Sequence, residues 1–114
     1  MGIFRSNILD LLQLISSKER QDKYQKDVPY VNIADELICM WFDDCYHPDD
    51  NQFKNNFDSN ELKILDDFST YFNQRVPKLP KNYYDYWESK GWLEVVGKAK
   101  ETLEKLGWDS IESE

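Results

Sequence analysis

Apolar residues recur along this chain at the spacing of α-helices, and no stretch keeps the alternation of two that is typical of β-strands. The first helical stripe consists of apolar residues at i, i+4, i+7 and i+11, namely Phe4, Ile8, Leu11 and Ile15. The polar stretch 16–27 is predicted to extend this helix. Pro29 then ends it, because the residue before a proline is displaced from the helical conformation. The pattern therefore opens with one long amphipathic helix.

The second stripe is the most regular in the chain. Its apolar positions are spaced at i, i+3, i+4, i+7, i+8 and i+11, and they are Ala34, Leu37, Ile38, Trp41, Phe42 and Cys45. Asn32 is the predicted N-cap of this helix, and Pro48 closes it. In the polar loop 47–56 that follows, only Phe53 is expected to turn inward. The stripe predicts a core helix whose other side carries acidic residues.

Three further helices are predicted in the second half of the chain. The third helix has the strongest start signal, because Asp58 and Glu61 have the spacing of a capping box. A short helix follows Asn82 as its N-cap and is expected to stop at Gly91. The last helix is predicted over residues 92–106, and Trp108 and Ile111 are expected to return to the core.

Length and composition set limits on the fold. A chain of 114 residues with 40% hydrophobic and 15% aromatic residues has the size of one folded unit and enough apolar surface to order itself. The prediction is an all-α single domain, residues 1–114, with four or five helices. No apolar run reaches the roughly 20 residues of a bilayer span. Because the first residues also lack the pattern of a secretory signal, a cytoplasmic protein is expected.

The formal charge is concentrated in the middle third of the chain, residues 35–67, which we call the acidic segment. It contains ten acidic and two basic residues, a net of −8, which equals the net charge of the whole chain. Adjacent acidic pairs stand at 43/44, 49/50 and 66/67. Such a field repels nucleic acid and anionic membranes and attracts cations or a basic protein surface. Solubility alone also favours an acidic surface.

No catalytic signature stands out in the residue pattern. The four glycines stand singly, which excludes a glycine-rich phosphate loop, and one histidine leaves no paired-histidine site. Cys45 and His47 are two residues apart and do not align for proton transfer on a helix. The stretch 43–50 supplies oxygen ligands but lacks the glycine and glutamate spacing of a calcium loop. We therefore expect no cofactor, metal or enzymatic activity, and a metal-dependent enzyme that uses this stretch with His47 is the weaker alternative.

A cluster of aromatic residues near the fourth helix offers a second candidate contact surface. Tyr83, Tyr84, Tyr86 and Trp87 cover more than one face of a helix, so they cannot all be buried. Tyrosine and tryptophan dominate the hot spots of protein–protein interfaces. Ordinary core packing is the competing interpretation for these four residues.

Three stretches in the middle of the chain combine aromatic and acidic residues: VPYVNIADEL at 28–37, WFDDCYHP at 41–48, and FDSNEL with LDDF between 57 and 68. This pattern resembles the small immunity proteins of bacterial contact-dependent growth inhibition systems. The resemblance implies a cytoplasmic protein without catalysis that binds and blocks the C-terminal domain of a secreted toxin. Such toxins are often nucleases, including nucleases that cut transfer RNA.

The combined prediction is a monomeric immunity protein that neutralises a nuclease toxin through the surface of its second and third helices. Clustered carboxylates suit the basic cleft in which a nuclease binds polyphosphate, and long-range attraction speeds the encounter. The alternative in the same charge class is an acidic nucleic-acid mimic that inhibits a DNA-binding protein, although a mimic is expected to spread its carboxylates over the whole molecule. Tyr46 is predicted as the central anchor. The candidate toxin-binding residues are Glu36, Asp43, Asp44, Tyr46, Asp49, Asp50, Asp66 and Asp67.

Overall fold

Helices make up most of residues 2–107, which are the residues that the computed structural model describes. The seven α-helices within this range are α1 (Ile3–Ile15), α2 (Lys18–Asp27), α3 (Ile33–Cys39), α4 (Asn51–Lys54), α5 (Ser59–Arg75), α6 (Tyr83–Tyr86) and α7 (Lys90–Leu106). A π-helical turn, Met40–Cys45, continues α3, and a 3₁₀ turn, Val76–Lys78, continues α5. No β-strand occurs between residues 2 and 107, so the predicted all-α class is confirmed there. The expectation for Trp108 and Ile111 falls outside the described residues.

The predicted count of four or five helices is wrong, first because the long N-terminal helix is divided into α1 and α2. The hydroxyl of Ser17 caps α2 by accepting a hydrogen bond from the N–H of Arg20 at 3.2 Å. The buried side-chain amide of Gln21 donates to the carbonyls of Leu14 at 2.9 Å and Ile15 at 2.8 Å, at the end of α1. Because these backbone groups form hydrogen bonds at the break, the chain can divide into two shorter helices without leaving them unpaired.

The second reason for the higher count is α4, a single helical turn inside the predicted loop 47–56. Its N-cap is Asp50, whose side chain accepts a hydrogen bond from the N–H of Gln52 at 2.8 Å. Phe53 is fully buried, which confirms that this ring turns inward. One cap and one buried ring hold a helix that is too short to show an apolar period.

Two predicted helix starts are confirmed. At the start of α5, the N–H of Glu61 donates to Oδ1 of Asp58 at 2.7 Å, and the N–H of Asp58 donates to Oε1 of Glu61 at 2.9 Å. This capping box contributes on the order of 1 kcal/mol. Asn82 caps α6 by accepting a hydrogen bond from the N–H of Tyr84 at 2.9 Å. Both starts are encoded by residues within three positions of one another.

Two other end signals have a different role in the structure. Gly91 does not stop α6 but lies in the first turn of α7, whose N-cap is Ser89. Asn32 precedes α3 as predicted, but its side chain makes no capping bond to that helix. Instead it donates to the carbonyl of Lys81 and accepts a hydrogen bond from the N–H of Tyr83 at 3.1 Å. Asn32 thus ties the start of α3 to the segment around α6.

The core lies where α7 packs against α1 and α5, and the π-helical turn packs on α1 beside it. All of its buried apolar side chains belong to one cluster. The largest members are fully buried aromatic residues: Trp41, Phe53, Phe68, Phe72, Tyr83, Tyr86 and Trp92. Burial of an apolar side chain of this size stabilises the fold by roughly 2–3 kcal/mol. None of the helices between residues 2 and 107 combines the length and apolarity that a membrane span requires.

Candidate protein-binding surface

The π-helical turn Met40–Cys45 presents the centre of the acidic segment. Hydrogen bonds in a π-helix join residues five apart, and the N–H of Tyr46 accordingly donates to the carbonyl of Trp41 at 3.1 Å. The two rings stack with their centroids 5.1 Å apart and their planes at 16°. Asp43 and Asp44, which lie between them in sequence, are exposed. The turn therefore buries an aromatic residue at each end and exposes two carboxylates.

Tyr46 belongs to the core, so the anchor role predicted for it does not fit its position. Its side chain is 7% exposed, and its ring contacts Phe53 edge-on at 5.7 Å. The Tyr46 hydroxyl donates to Oδ1 of Asp66 at 3.2 Å. Burial, and then the negative charges of Asp66 and Asp49, raise the pKa of Tyr46. The predicted stripe of a regular α-helix contained Cys45 and left Tyr46 outside it. In the π-helical turn, Tyr46 instead lies on the same buried side as Trp41, five residues earlier.

Four carboxylates act on the exposed thiol of Cys39, and we call them the Cys39 carboxylates: Asp35, Glu36, Asp43 and Asp44. The pKa of this thiol is raised first by desolvation and then by the charges of Asp43, Glu36, Asp35 and Asp44. The charges act in this direction because a thiolate would add a further negative charge to the group. All four residues lie within five positions of Cys39 on α3 and the π-helical turn, and three of them, Glu36, Asp43 and Asp44, are predicted site residues.

A second group, the Tyr46 carboxylates, consists of Asp49 and Asp66 and acts on the Tyr46 hydroxyl. Both residues are exposed. Asp50, next to Asp49, is exposed and held by its capping bond to α4. Asp67 is exposed on α5 but does not share the face of Asp66, because adjacent residues on a helix point in different directions. The structure thus collects five of the seven predicted acidic residues into two groups and leaves two beside them in sequence.

None of the seven predicted acidic residues forms an ion pair with a lysine or arginine between residues 2 and 107. The ion pairs in this range are Arg5–Glu61, Lys18–Asp22, Lys23–Asp27, Arg75–Glu94, Lys98–Glu101 and Lys105–Glu101. Only the first of these six pairs reaches into the acidic segment. Within the described residues, the lysines and arginines that form ion pairs therefore pair with other acidic residues and not with these seven.

The fold adds Asp10 of α1 to the acidic surface, although this residue is not among the predicted site residues. Burial, and then the charges of Asp44 and Asp10, raise the pKa of the Cys45 thiol, so both carboxylates act on one point. Between α1 and the π-helical turn lies a groove of about 340 Å³, which we call the α1 groove, lined by Asn7, Asp10, Leu11, Leu14, Met40, Asp44 and Cys45. The α1 residues of this groove have the i, i+3, i+4, i+7 spacing of one helix face, which is a signal that the sequence already contained.

Most of the aromatic cluster that was predicted as a second candidate contact surface is buried in the fold. Tyr83 and Tyr86 are each 1% exposed, and Trp87 is half-buried with its indole N–H donated to the Tyr83 hydroxyl at 3.1 Å. Tyr84 is 71% exposed and lines a groove with Tyr30, which is 85% exposed. The prediction that the four residues are not all buried is confirmed, and Tyr84 is the one that faces solvent.

The metal and cysteine–histidine alternatives depend on residues of the acidic segment. Within residues 2–107, no three or more His, Cys, Asp and Glu side chains are arranged to hold a metal ion. The Nε2 atom of His47 lies 2.9 Å from the carbonyl oxygen of Asp44. The His47 ring is therefore hydrogen-bonded to the backbone of the preceding turn.

Neither a protein-family model nor a curated protein nor a solved structure matches this chain.

Proposed function

We propose that this protein is an immunity protein that binds and neutralises a nuclease toxin of a contact-dependent growth inhibition system. Its partner in this proposal is the basic C-terminal nuclease domain of a secreted toxin, and the protein acts as a cytoplasmic monomer without catalysis of its own. The contact surface consists of the Cys39 carboxylates and the Tyr46 carboxylates, together with Asp50 and Asp67.

The observation that carries the proposal is this set of carboxylates, all exposed except the half-buried Glu36, which form no ion pair with a lysine or arginine within residues 2–107. Like charges that a fold holds close together repel one another, and the repulsion is strongest at low salt. A partner that supplies cations removes this repulsion when it binds. The cleft of a nuclease is such a partner, because it is built to bind polyphosphate.

The rigidity of the layer beneath the carboxylates also supports a binding role. Trp41 is fully buried, donates its indole N–H to the Ser69 hydroxyl at 3.1 Å and contacts Phe68 edge-on at 4.8 Å. A surface fixed in this way needs little ordering when a partner arrives. Its electrostatic attraction therefore favours fast and tight association.

The direct test is co-expression with the C-terminal domain of the toxin encoded beside this chain, with an affinity tag on one protein only. We expect a one-to-one complex that abolishes cleavage of RNA or DNA and weakens as the salt concentration rises. Absence of a complex, or a complex in which the toxin keeps its full activity, would contradict the proposal.

A matched pair of variants tests whether the position of the charges matters. One variant replaces the acidic pairs Asp43, Asp44, Asp49 and Asp50 by asparagine, which preserves the cap at position 50. The control neutralises four exposed acidic residues outside the acidic segment: Glu19, Asp85, Glu88 and Glu104. Each variant removes four charges from the net charge of −8. We expect the first variant to slow association about tenfold or more at low salt and to flatten its salt dependence. Equal slowing by both would assign the effect to net charge and contradict the proposed surface.

The two alternative functions predict different results. A nucleic-acid mimic would bind unrelated basic proteins about as tightly as the toxin domain. A metal-dependent enzyme would change its stability or activity when Mg²⁺, Mn²⁺ or Zn²⁺ is added or chelated. Either result would favour that alternative over the immunity proposal.

A further inference from the structure

The α1 groove combines apolar walls with acidic groups. Leu11 is 4% exposed, and Leu14 and Met40 are partly buried beside it. Asp10 from α1 and Asp44 from the π-helical turn line the same groove and are exposed. These two carboxylates are more than thirty positions apart in the sequence, so only the packing of α1 on the turn brings them together.

The two acidic residues of the α1 groove determine which charge its occupant can carry. Within residues 2–107, Asp10 and Asp44 form no ion pair with lysine or arginine. Removing carboxylates from water without a cation is costly, so an uncharged occupant that covered them would bind poorly. The charge of the groove therefore selects a cationic occupant, and its walls select one with an apolar stem.

Arginine meets both requirements. Its three methylene groups can lie along leucine and methionine side chains, while its guanidinium group offers five N–H donors to more than one carboxylate. A guanidinium group is also less strongly hydrated than the ammonium group of lysine, so it loses less on leaving water. Arginine is in addition one of the residues most enriched among interface hot spots. We infer that the α1 groove receives an arginine side chain of the partner protein, an inference that rests on the proposed function for the identity of that partner.

The first test fills the groove with a cation from the protein itself. Asn7 is exposed and lines the groove, so Asn7→Arg places a guanidinium group beside Asp10 and Asp44, whereas Gln74→Arg, at an exposed position of α5 outside the groove, is the control for the added charge. We expect Asn7→Arg to weaken the toxin complex about tenfold or more and Gln74→Arg, which adds the same charge outside the groove, to leave it unchanged. The double variant Asp10→Asn, Asp44→Asn should weaken it similarly, mainly through faster dissociation, because loss of a desolvated charge pair acts on the dissociation rate.

The second test does not require the toxin. N-acetyl-argininamide is titrated into the protein while the methyl resonances of Leu11, Leu14 and Met40 are followed by NMR, and N-acetyl-citrullinamide serves as the uncharged probe of the same shape. We expect shifts confined to the groove with the arginine probe, much smaller shifts with citrulline, and loss of the shifts in the Asp10→Asn, Asp44→Asn variant.

The results of the two tests separate the inference from the proposed function. Tight toxin binding that Asn7→Arg and the double variant leave unchanged would overturn the groove inference and leave the immunity role standing. No toxin binding by the natural sequence would overturn the immunity role, and the NMR titration then decides the arginine site alone. Equal shifts with both probes, or shifts outside the groove, would overturn the arginine site.

Discussion

The helix α7 and the π-helical turn use their charged residues in different ways. In α7, Glu101 pairs with Lys98 at 3.5 Å and with Lys105 at 3.0 Å, both within one turn along the same helix. In the π-helical turn, Asp43 and Asp44 are exposed and pair with no lysine or arginine of residues 2–107. The charges of α7 support the helix that carries them. Those of the turn gain no such support, which is the behaviour expected of charges that serve a partner.

The two regions are alike in the way they are attached to the core. Each carries a fully buried tryptophan, Trp41 in the turn and Trp92 in α7. The indole N–H of Trp41 donates to Ser69, whereas the indole nitrogen of Trp92 has no hydrogen-bond partner within residues 2–107. Both regions are therefore anchored in the core by a buried tryptophan, and their exposed charges are used differently.

The largest expected effect tests this equal anchoring. Trp41→Ala and Trp92→Ala should each lower the free energy of unfolding by about 3–5 kcal/mol, because each leaves a large cavity in the core. Urea denaturation measures both, with Leu93→Ala at a half-exposed position as the control for a change in α7 outside the core. A loss below about 1 kcal/mol for Trp41→Ala alone would mean that the acidic surface is attached to the core more loosely than α7 is.

The pH dependence of stability provides the next prediction. Burial raises the pKa of Tyr46 above the ordinary value of 10.0, with further contributions from Asp66 and Asp49, and raises the pKa of Tyr86 to about 12. A raised pKa means that the fold favours the neutral phenol, so this stabilisation is complete below the unfolded-state pKa and is lost as the pH rises above it. We therefore expect the free energy of unfolding to fall from about pH 10 upward.

The variant Tyr46→Phe separates the share of this decline that belongs to the acidic segment. Phenylalanine cannot ionise, so the decline above pH 10 should become shallower, although the lost hydrogen bond to Asp66 lowers stability at all pH values. Tyr30→Phe, at a ring that is 85% exposed, is the matched control and should leave the slope unchanged. Urea titrations at a series of pH values measure the slopes. Parallel curves for Tyr46→Phe and the natural sequence would show that Tyr46 does not carry the effect.

A smaller effect is expected at the pair of Arg5 and Glu61, which is the one ion pair among residues 2–107 that reaches into the acidic segment. Arg5 donates to Glu61 through Nη1 at 2.9 Å and Nη2 at 3.1 Å, and its Nη1 also donates to the carbonyl of Asn56 at 3.0 Å. Lysine cannot form this double contact, so Arg5→Lys should cost about 1 kcal/mol of stability. The exposed pair of Lys23 and Asp27 is the control, and Lys23→Gln should cost less than about 0.5 kcal/mol. Equal costs would show that the partly buried pair does not behave as a structural contact.

The sequence predicted the features that depend on neighbouring residues. The capping box of Asp58 and Glu61 spans three positions, and the inward turn of Phe53 follows from its position as the one apolar residue of a polar loop. The π-helical turn was not predictable in this way, because the stacking of Tyr46 on Trp41 is completed by contacts to residues that lie far along the chain, such as Phe68.

The candidate site shows the same division between local and distant information. The concentration of acidic residues is visible in the sequence, but which of them meet depends on how the elements pack. Asp10 joins Asp44 because α1 packs on the π-helical turn. Tyr46, which was predicted at the surface, lies in the core because the π-helical turn changes the helical register. Charge composition therefore indicates the acidic segment, and tertiary packing decides which of its carboxylates lie near one another.

The smallest expected effect separates the charges of α7 from those of the π-helical turn, because neutralising them should change the free energy of unfolding in opposite directions. The hydrogen bond from Lys105, with the charge of Lys98, holds the pKa of Glu101 below its ordinary value, so Glu101 stabilises the fold at neutral pH and loses that contribution as the pH falls through its folded-state pKa. Glu101→Gln should therefore lower the free energy of unfolding slightly. The double variant Asp43→Asn, Asp44→Asn should raise it slightly, because it relieves repulsion between carboxylates that form no ion pair with a lysine or arginine of residues 2–107.

Both changes should shrink toward zero at about 1 M salt, where charges at the surface are screened within about 3 Å. Thermal and urea unfolding at low and high salt measure the two signs, and the salt series separates electrostatic effects from a change in helix propensity, which salt does not remove. A loss of stability in the Asp43→Asn, Asp44→Asn variant that disappears at high salt would mean that the acidic pair is held by favourable charge contacts within the protein. The carboxylates would then serve the fold as those of α7 do, and the strongest physical reason to assign them to a basic partner would be gone.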